Sequence, residues 1–93
     1  MLEKQIESAV VKYAKLKDIL SFKMNSVSSR GLPDRIFISK LGIFFVEFKR
    51  KNAKTTKLQN YMIEQLLRHD CKVFIVDDIK TGQDLINSYV KLK

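Results

Sequence analysis

The chain has little with which to cross-link itself or to cross a membrane. A single cysteine, Cys71, leaves no internal disulfide framework and no cysteine-built zinc site. Nowhere do eighteen or more apolar residues run together, so no segment reads as a transmembrane helix. The opening stretch, MLEKQIESAVVKYAK, carries charge throughout and lacks the apolar centre of a secretory signal. The simple expectation is an intracellular protein in a reducing compartment. No repeat, low-complexity tract or linker divides residues 1–93, which read as one domain with one modest core. Acidic residues are also scarce: 10 of them face 18 lysines and arginines, a net charge of +8. Such an excess favours a polyanionic partner, and nucleic acid is the commonest.

Hydrophobic periodicity supplies the element order. Leu2, Ile6, Ala9, Val10, Tyr13 and Leu16 recur at helical spacing and predict a helix over residues 2 to about 18. A short strand is expected near Leu20 to Met24, then a polar loop, NSVSSRG, over residues 25–31. The only proline, Pro33, starts a second strand, Asp34 to Ser39. SKLG turns the chain, with Gly42 free to take a left-handed conformation, and Ile43 to Lys49 is the third strand. A basic loop, RKNAKTT, leads to a helix over about 56–69, capped by Thr55 or Thr56. CKVFIV, residues 71–76, is the fourth strand. A last helix is marked by Leu85, Ile86, Tyr89 and Val90, with Thr81 followed by Asp84 as its N-terminal cap. The expected class is α/β, a small mixed sheet flanked by helices in the order αβββαβ, with one more helix at the end.

The third strand carries the chemistry. Side chains alternate across a strand, so Glu47 and Lys49 project with Ile43 and Phe45, while Phe44, Val46 and Phe48 project the other way. If the hairpin pairs symmetrically about Lys40 and Leu41, Asp34 lies opposite Glu47, about 5 Å away between Cβ atoms. A bulge at Gly42 would shift that register by one. Two carboxylates so close repel unless a proton or a cation lies between them. Mg2+ suits them, with Mn2+ as a substitute, because a hard cation takes its oxygen ligands from carboxylates, water and phosphate. Lys49 beside them suits an attacking water or a phosphate. The arrangement is that of metal-assisted phosphodiester hydrolysis.

These residues resemble the PD-(D/E)XK nuclease signature, and more closely its virus-type replication-repair branch, the VRR-NUC domains. The match is Gly31-Leu32-Pro33-Asp34, then Glu47-Phe48-Lys49, then Gln59 opening the next helix, and it runs from about residue 2 to residue 77. The resemblance implies a restriction-endonuclease-like αβββαβ core. It implies that Asp34, Glu47 and the backbone carbonyl of Phe48 hold the metal and that Lys49 serves the nucleophile. Gln59 would support the site. A glutamate of the first helix would reach the metal through water, and Glu7 is preferred to Glu3 because it lies nearer the first strand. The short members of the group are phage proteins, associated with homodimers that cut branched DNA such as Holliday junctions. Their compartment would be the cytoplasm of a bacterium or an infected host. Other expectations are a nuclease for flaps, ends or plain duplex, and a basic DNA-binding domain without catalysis.

Phosphate contacts are expected from Arg50, Lys51, Lys54 and Lys57, which follow the catalytic strand directly, and from Lys23, Ser26 and Arg30 ahead of the Pro-Asp box. His69, where a helix gives way to a strand, reads as a C-terminal cap, and Cys71 as a buried strand residue. A homodimer is expected to use the apolar excess of the terminal helices: Tyr13, Leu16, Ile19 and Leu20 at one end, and Leu85, Ile86, Tyr89, Val90 and Leu92 at the other.

Overall fold

Seven elements alternate along the chain in the computed structural model, which describes residues 1–24 and 30–91. They are α1 (Glu3–Leu16), β1 (Leu20–Lys23), β2 (Arg35–Ser39), β3 (Gly42–Phe48), α2 (Lys57–Arg68), β4 (Lys72–Val76) and α3 (Ile79–Ser88). The strands form one four-stranded sheet in the order β1-β2-β3-β4. The first three strands are antiparallel neighbours, whereas β4 pairs parallel to β3 after the α2 crossover. This is the mixed α/β architecture expected from the sequence.

The hairpin register is the symmetric one. Ser39 faces Gly42, Ile38 faces Ile43, and the ladder runs without a bulge to Arg35 facing Val46. The turn is only Lys40 and Leu41, closed by the Leu41 N–H donating to Ser39 Oγ at 3.0 Å. Gly42 takes φ 147°, a backbone setting that a side chain would resist.

Alternation then sorts the side chains. Phe44, Val46 and Phe48 are buried with Phe37 and Val76 on one face, under Ile6, Val10 and Ala14 of α1 and Ile86 of α3. The rings of Phe37 and Phe44 stack at 5.1 Å between centroids, and Tyr89 stacks on Phe44 at 4.1 Å. Where α1 meets α3, Gly82 admits Val10; a Cβ there would come within 2.4 Å of Val10 Cγ2. Among the described residues only α2 stands on the other side, and none of its residues is buried.

Both α1 and α2 stop in the same way. Asp18 (φ 61°) and Asp70 (φ 64°) turn left-handed. Behind them the N–H groups of Ile19 and Cys71 reach back to the carbonyls of Ala14 and Leu66, at 2.9 and 3.0 Å. This is the Schellman arrangement with aspartate in the place glycine usually takes. His69 closes α2 as expected, its Nδ1 lying 2.7 Å from the Gln65 carbonyl oxygen.

Three expectations need correction. The cap of α3 is Asp78, not Thr81: Asp78 Oδ1 accepts the Thr81 N–H at 2.7 Å, so Thr81 already sits inside the first turn. Cys71 precedes β4 and is half-buried. The apolar residues of the terminal helices are used within the chain. Ile19 and Ile86 are core, and Tyr13, Leu85, Tyr89 and Val90 pack against it. Leu16 stays exposed, Leu20 belongs to β1, and Leu92 lies outside the described residues. Among the described residues, no helix is long and apolar enough to cross a membrane.

Candidate active site

Extending the β2–β3 register by one step places Asp34 opposite Glu47. Asp34 is held there from two sides. Its Oδ2 accepts the Phe48 N–H at 2.8 Å, and its carbonyl accepts the Met24 N–H at 2.8 Å. The loop before it is pinned at Gly31, whose φ of +85° and close approach to Leu58 leave no room for a side chain.

Glu47 is only 3% exposed, a depth at which a carboxylate needs partners. It has two. Gln59 Nε2 donates to Oε2 at 2.8 Å, and Lys49 Nζ lies 3.6 Å from the same oxygen. Lys49 is itself buried and shares the face of Glu47 by alternation.

The positions of these partners follow from local chemistry. Thr56 caps α2 by accepting the Gln59 N–H at 3.1 Å, and Gln59 Oε1 accepts the Thr56 N–H at 2.9 Å. This reciprocal capping box uses up the amide oxygen and leaves the amide nitrogen for Glu47.

Charge is distributed unevenly. Burial, and then the charge of Asp34, push Glu47 up to about 7, with Lys49 offsetting part of the shift. Asp34 is raised in the same way, by burial and the charge of Glu7, against the Phe48 N–H. Burial raises Glu7 too, but Lys23 and Arg35 outweigh it and hold that carboxyl below its ordinary value. Lys23 Nζ reaches both Glu7 oxygens, at 3.1 and 2.9 Å, and Arg35 Nε donates to Oε2 at 2.6 Å.

Asp34, Glu47, Lys49 and Gln59 thus come together, with Phe48 between them in the strand. Glu7 is near enough to influence Asp34, but its oxygens are occupied by two cations. Glu3 points to the Arg50 N–H, at 3.4 Å. Among the described residues no three acidic, histidine or cysteine side chains gather as a metal cage, so an ion here has two carboxylates and backbone oxygen to draw on.

Of the basic residues, Arg30, Arg50, Lys51, Lys54 and Lys57 are exposed, and Lys51 lies 4.0 Å from Asp78. Lys23 is committed to Glu7, and Ser26 lies outside the described residues. Arg35 is the residue that motif reading passes over. It also donates to Ser21 Oγ, at 3.2 Å. Alternation alone signals it: if Asp34 faces Glu47, Arg35 faces the side where α1 packs.

No family model and no curated protein matches the sequence. Among solved structures, one described as a VRR_NUC domain superposes with a TM-score of 0.83 at 27% identity, over 94% of this chain and 96% of that one. Another, a VRR_NUC domain protein, gives 0.80 over all of this chain and 91% of the other; at 21% identity it speaks for the fold alone. Near-complete overlap with both structures gives the chain the fold of VRR_NUC domains, and the likeness points to a nuclease of the PD-(D/E)XK type.

Proposed function

We propose that this domain is a magnesium-dependent, structure-specific DNA endonuclease that resolves four-way junctions as a homodimer, with manganese able to replace magnesium. The observation that carries the reading is the facing of Asp34 and Glu47 with Lys49 beside them. Burial drives both carboxyls toward protonation, with the charge of Glu7 adding to it at Asp34 and the charge of Asp34 at Glu47, and a divalent cation relieves the same repulsion. The donors fit a hard ion: oxygen only, from Asp34, Glu47 and the Phe48 carbonyl, with water and phosphate completing the shell. When bound, such an ion polarises the phosphoryl oxygen and lowers the pKa of attacking water.

The remaining chemistry belongs to the chain. Lys49 holds an ammonium beside Glu47, where it orients the water that attacks phosphorus and steadies the charge that builds as the P–O bond breaks. Gln59 is a positioning residue that keeps the Glu47 carboxylate from rotating. Glu7 holds Lys23 and Arg35 at the margin of the site, and a water-mediated approach of Glu7 to the metal is part of the proposal. Arg30, Arg50, Lys51, Lys54 and Lys57 grip the sugar-phosphate backbone, a non-specific contact that suits reading by shape. A four-way junction needs two cuts. The described residues of one chain form one such site, and a two-fold dimer provides the second.

The test is cleavage of labelled junctions, flaps, ends and plain duplex with magnesium, manganese or chelator. Paired, symmetric cuts in junctions that chelator abolishes are expected. Cutting of flaps in preference to junctions would overturn the substrate, and cutting in chelator would overturn the metal.

A further inference from the structure

More positive charge gathers on Glu7 than one carboxylate requires. Its Oε2 accepts from Lys23 Nζ at 2.9 Å and from Arg35 Nε at 2.6 Å, and its Oε1 accepts from Lys23 at 3.1 Å. Two cations on one carboxylate leave one positive charge over. The two are held differently. Arg35 has a second anchor, Ser21 Oγ at 3.2 Å, and its side chain is 21% exposed. Among the described residues Lys23 has no partner but Glu7, and its side chain is 42% exposed. The charge of Lys23 also offsets part of the rise at Asp34, so it reaches the acidic pair.

We infer that Lys23 exchanges Glu7 for a backbone phosphate of bound DNA, while Arg35 stays on Glu7 as its fixed counter-ion. The inference rests on the nuclease reading only for DNA as the ligand.

Side-chain chemistry favours this division. A guanidinium is a planar fork: with Nε on the carboxylate and Nη1 on Ser21, Arg35 cannot turn away without breaking both bonds. Lysine is a point charge on a flexible stem, with three donors and no fixed plane. Placement favours it too. β1 is an edge strand, and Lys23 lies opposite Arg35, one step from the row of Asp34. A DNA strand with one phosphate at the acidic pair can set a neighbouring phosphate against Lys23.

The second cation is what makes the exchange possible. Glu7 is only 9% exposed, and a carboxylate at that depth cannot be left unpaired. When Lys23 departs, the 2.6 Å charge-assisted bond from Arg35 remains. Lys23 trades one anion for another and stays paired throughout. Its departure also uncovers Oε1, which Arg35 does not touch, and leaves that oxygen open to water.

The test is affinity for a labelled four-way junction in chelator as salt is varied, so that affinity is read without added metal. Lys23→Met should lower affinity ~3–10-fold and reduce the slope of log affinity against log salt by about one. Glu7→Gln, which releases Lys23, should raise affinity ~3-fold or more, and in the Lys23→Met background that gain should shrink to at most ~1.5-fold. Arg35→Met should lower affinity, because Glu7 can then no longer release Lys23; in the Glu7→Gln background it should change affinity less than ~2-fold. A salt slope that Lys23→Met leaves unchanged overturns the inference. So does a Glu7→Gln gain that persists without Lys23, which is the plain effect of removing a negative charge. Loss of affinity with Arg35→Met in both backgrounds makes Arg35 the phosphate contact and overturns the division. If Glu7→Gln fails to fold by circular dichroism, the salt slope of Lys23→Met in the otherwise unaltered protein decides. The expected pattern in a protein that cuts no DNA once magnesium is added supports the exchange and overturns the nuclease reading alone. Cleavage in magnesium with the salt slope unchanged overturns the exchange alone.

Discussion

Gln59 and Glu47 are joined by one hydrogen bond, 2.8 Å from amide nitrogen to carboxylate oxygen, and the Gln59 oxygen is already spent on the N–H of Thr56. One side chain therefore closes a helix and fixes a carboxylate. The two duties separate by mutation. Gln59→Glu keeps an acceptor for Thr56 but loses the donor and adds a negative charge beside two carboxyls. Gln59→Ala loses both functions. We expect Gln59→Glu to lower kcat/KM at least ~10-fold with little change in melting temperature. Gln59→Ala should lower activity and also stability, by about 1 kcal/mol. Equal activity in Gln59→Glu and the parent protein would remove Gln59 from the site.

Asp34→Asn and Glu47→Gln should each reduce cleavage on the order of 10³-fold or more while leaving DNA affinity within a few-fold. Binding is measured in calcium or chelator, so that cleavage and affinity are read apart. Cleavage undiminished by either change would exclude that carboxylate from the mechanism.

The raised carboxyls make stability depend on pH. Glu47 titrates near 7 in the fold against 4.5 ordinarily, so the folded state prefers its protonated form. That contribution is complete below about pH 4.5 and is lost as pH rises through about 7. Asp34 works in the same direction, whereas Glu7, held low by Lys23 and Arg35, favours folding above the acid range and loses its contribution there. In chelator, the stability of the parent protein relative to Glu47→Gln should therefore fall between pH 5 and pH 8, by at most about 3 kcal/mol. Magnesium should recover most of that loss at pH 8 and release protons near pH 7, both measurable by urea unfolding and calorimetry without any DNA. A stability difference independent of pH would show that Glu47 is ionised throughout.

Two backbone positions should respond in opposite directions. Gly82→Ala drives a methyl against Val10 and should cost about 2 kcal/mol despite the better helix propensity of alanine. Asp70→Gly relieves a left-handed aspartate at the end of α2 and should add about 0.5–1 kcal/mol. Thermal unfolding of the two variants checks both signs.

The hairpin was the most legible part of the molecule. Strict alternation from Ile43 to Lys49 sorts the faces, and of the two registers open to the hairpin the structure takes the symmetric one, which sets Asp34 opposite Glu47. Long-range partnerships were not legible. Glu7 and Arg35 are 28 positions apart, and no local signal says that both Lys23 and Arg35 turn to that carboxylate. The cap of α3 was misplaced because Thr81 and Asp78 both suit a helix start, and only the three-residue reach of Asp78 to the Thr81 N–H decides between them. The terminal helices show a different limit. Periodicity says which side of a helix is apolar and says nothing of what lies against it, so Ile86 and Tyr89 read equally well as core or as interface.

The two-residue turn at Lys40 and Leu41 acts as a check on folding fidelity. One added residue there would rotate β3 by a full alternation, sending Glu47 and Lys49 toward α1 and Phe44, Val46 and Phe48 toward solvent. Such a molecule loses its core in the same event that disperses its carboxylates. Two added residues preserve the alternation and lengthen only the loop. A one-residue slip of the hairpin therefore costs the core and the facing of Asp34 and Glu47 together.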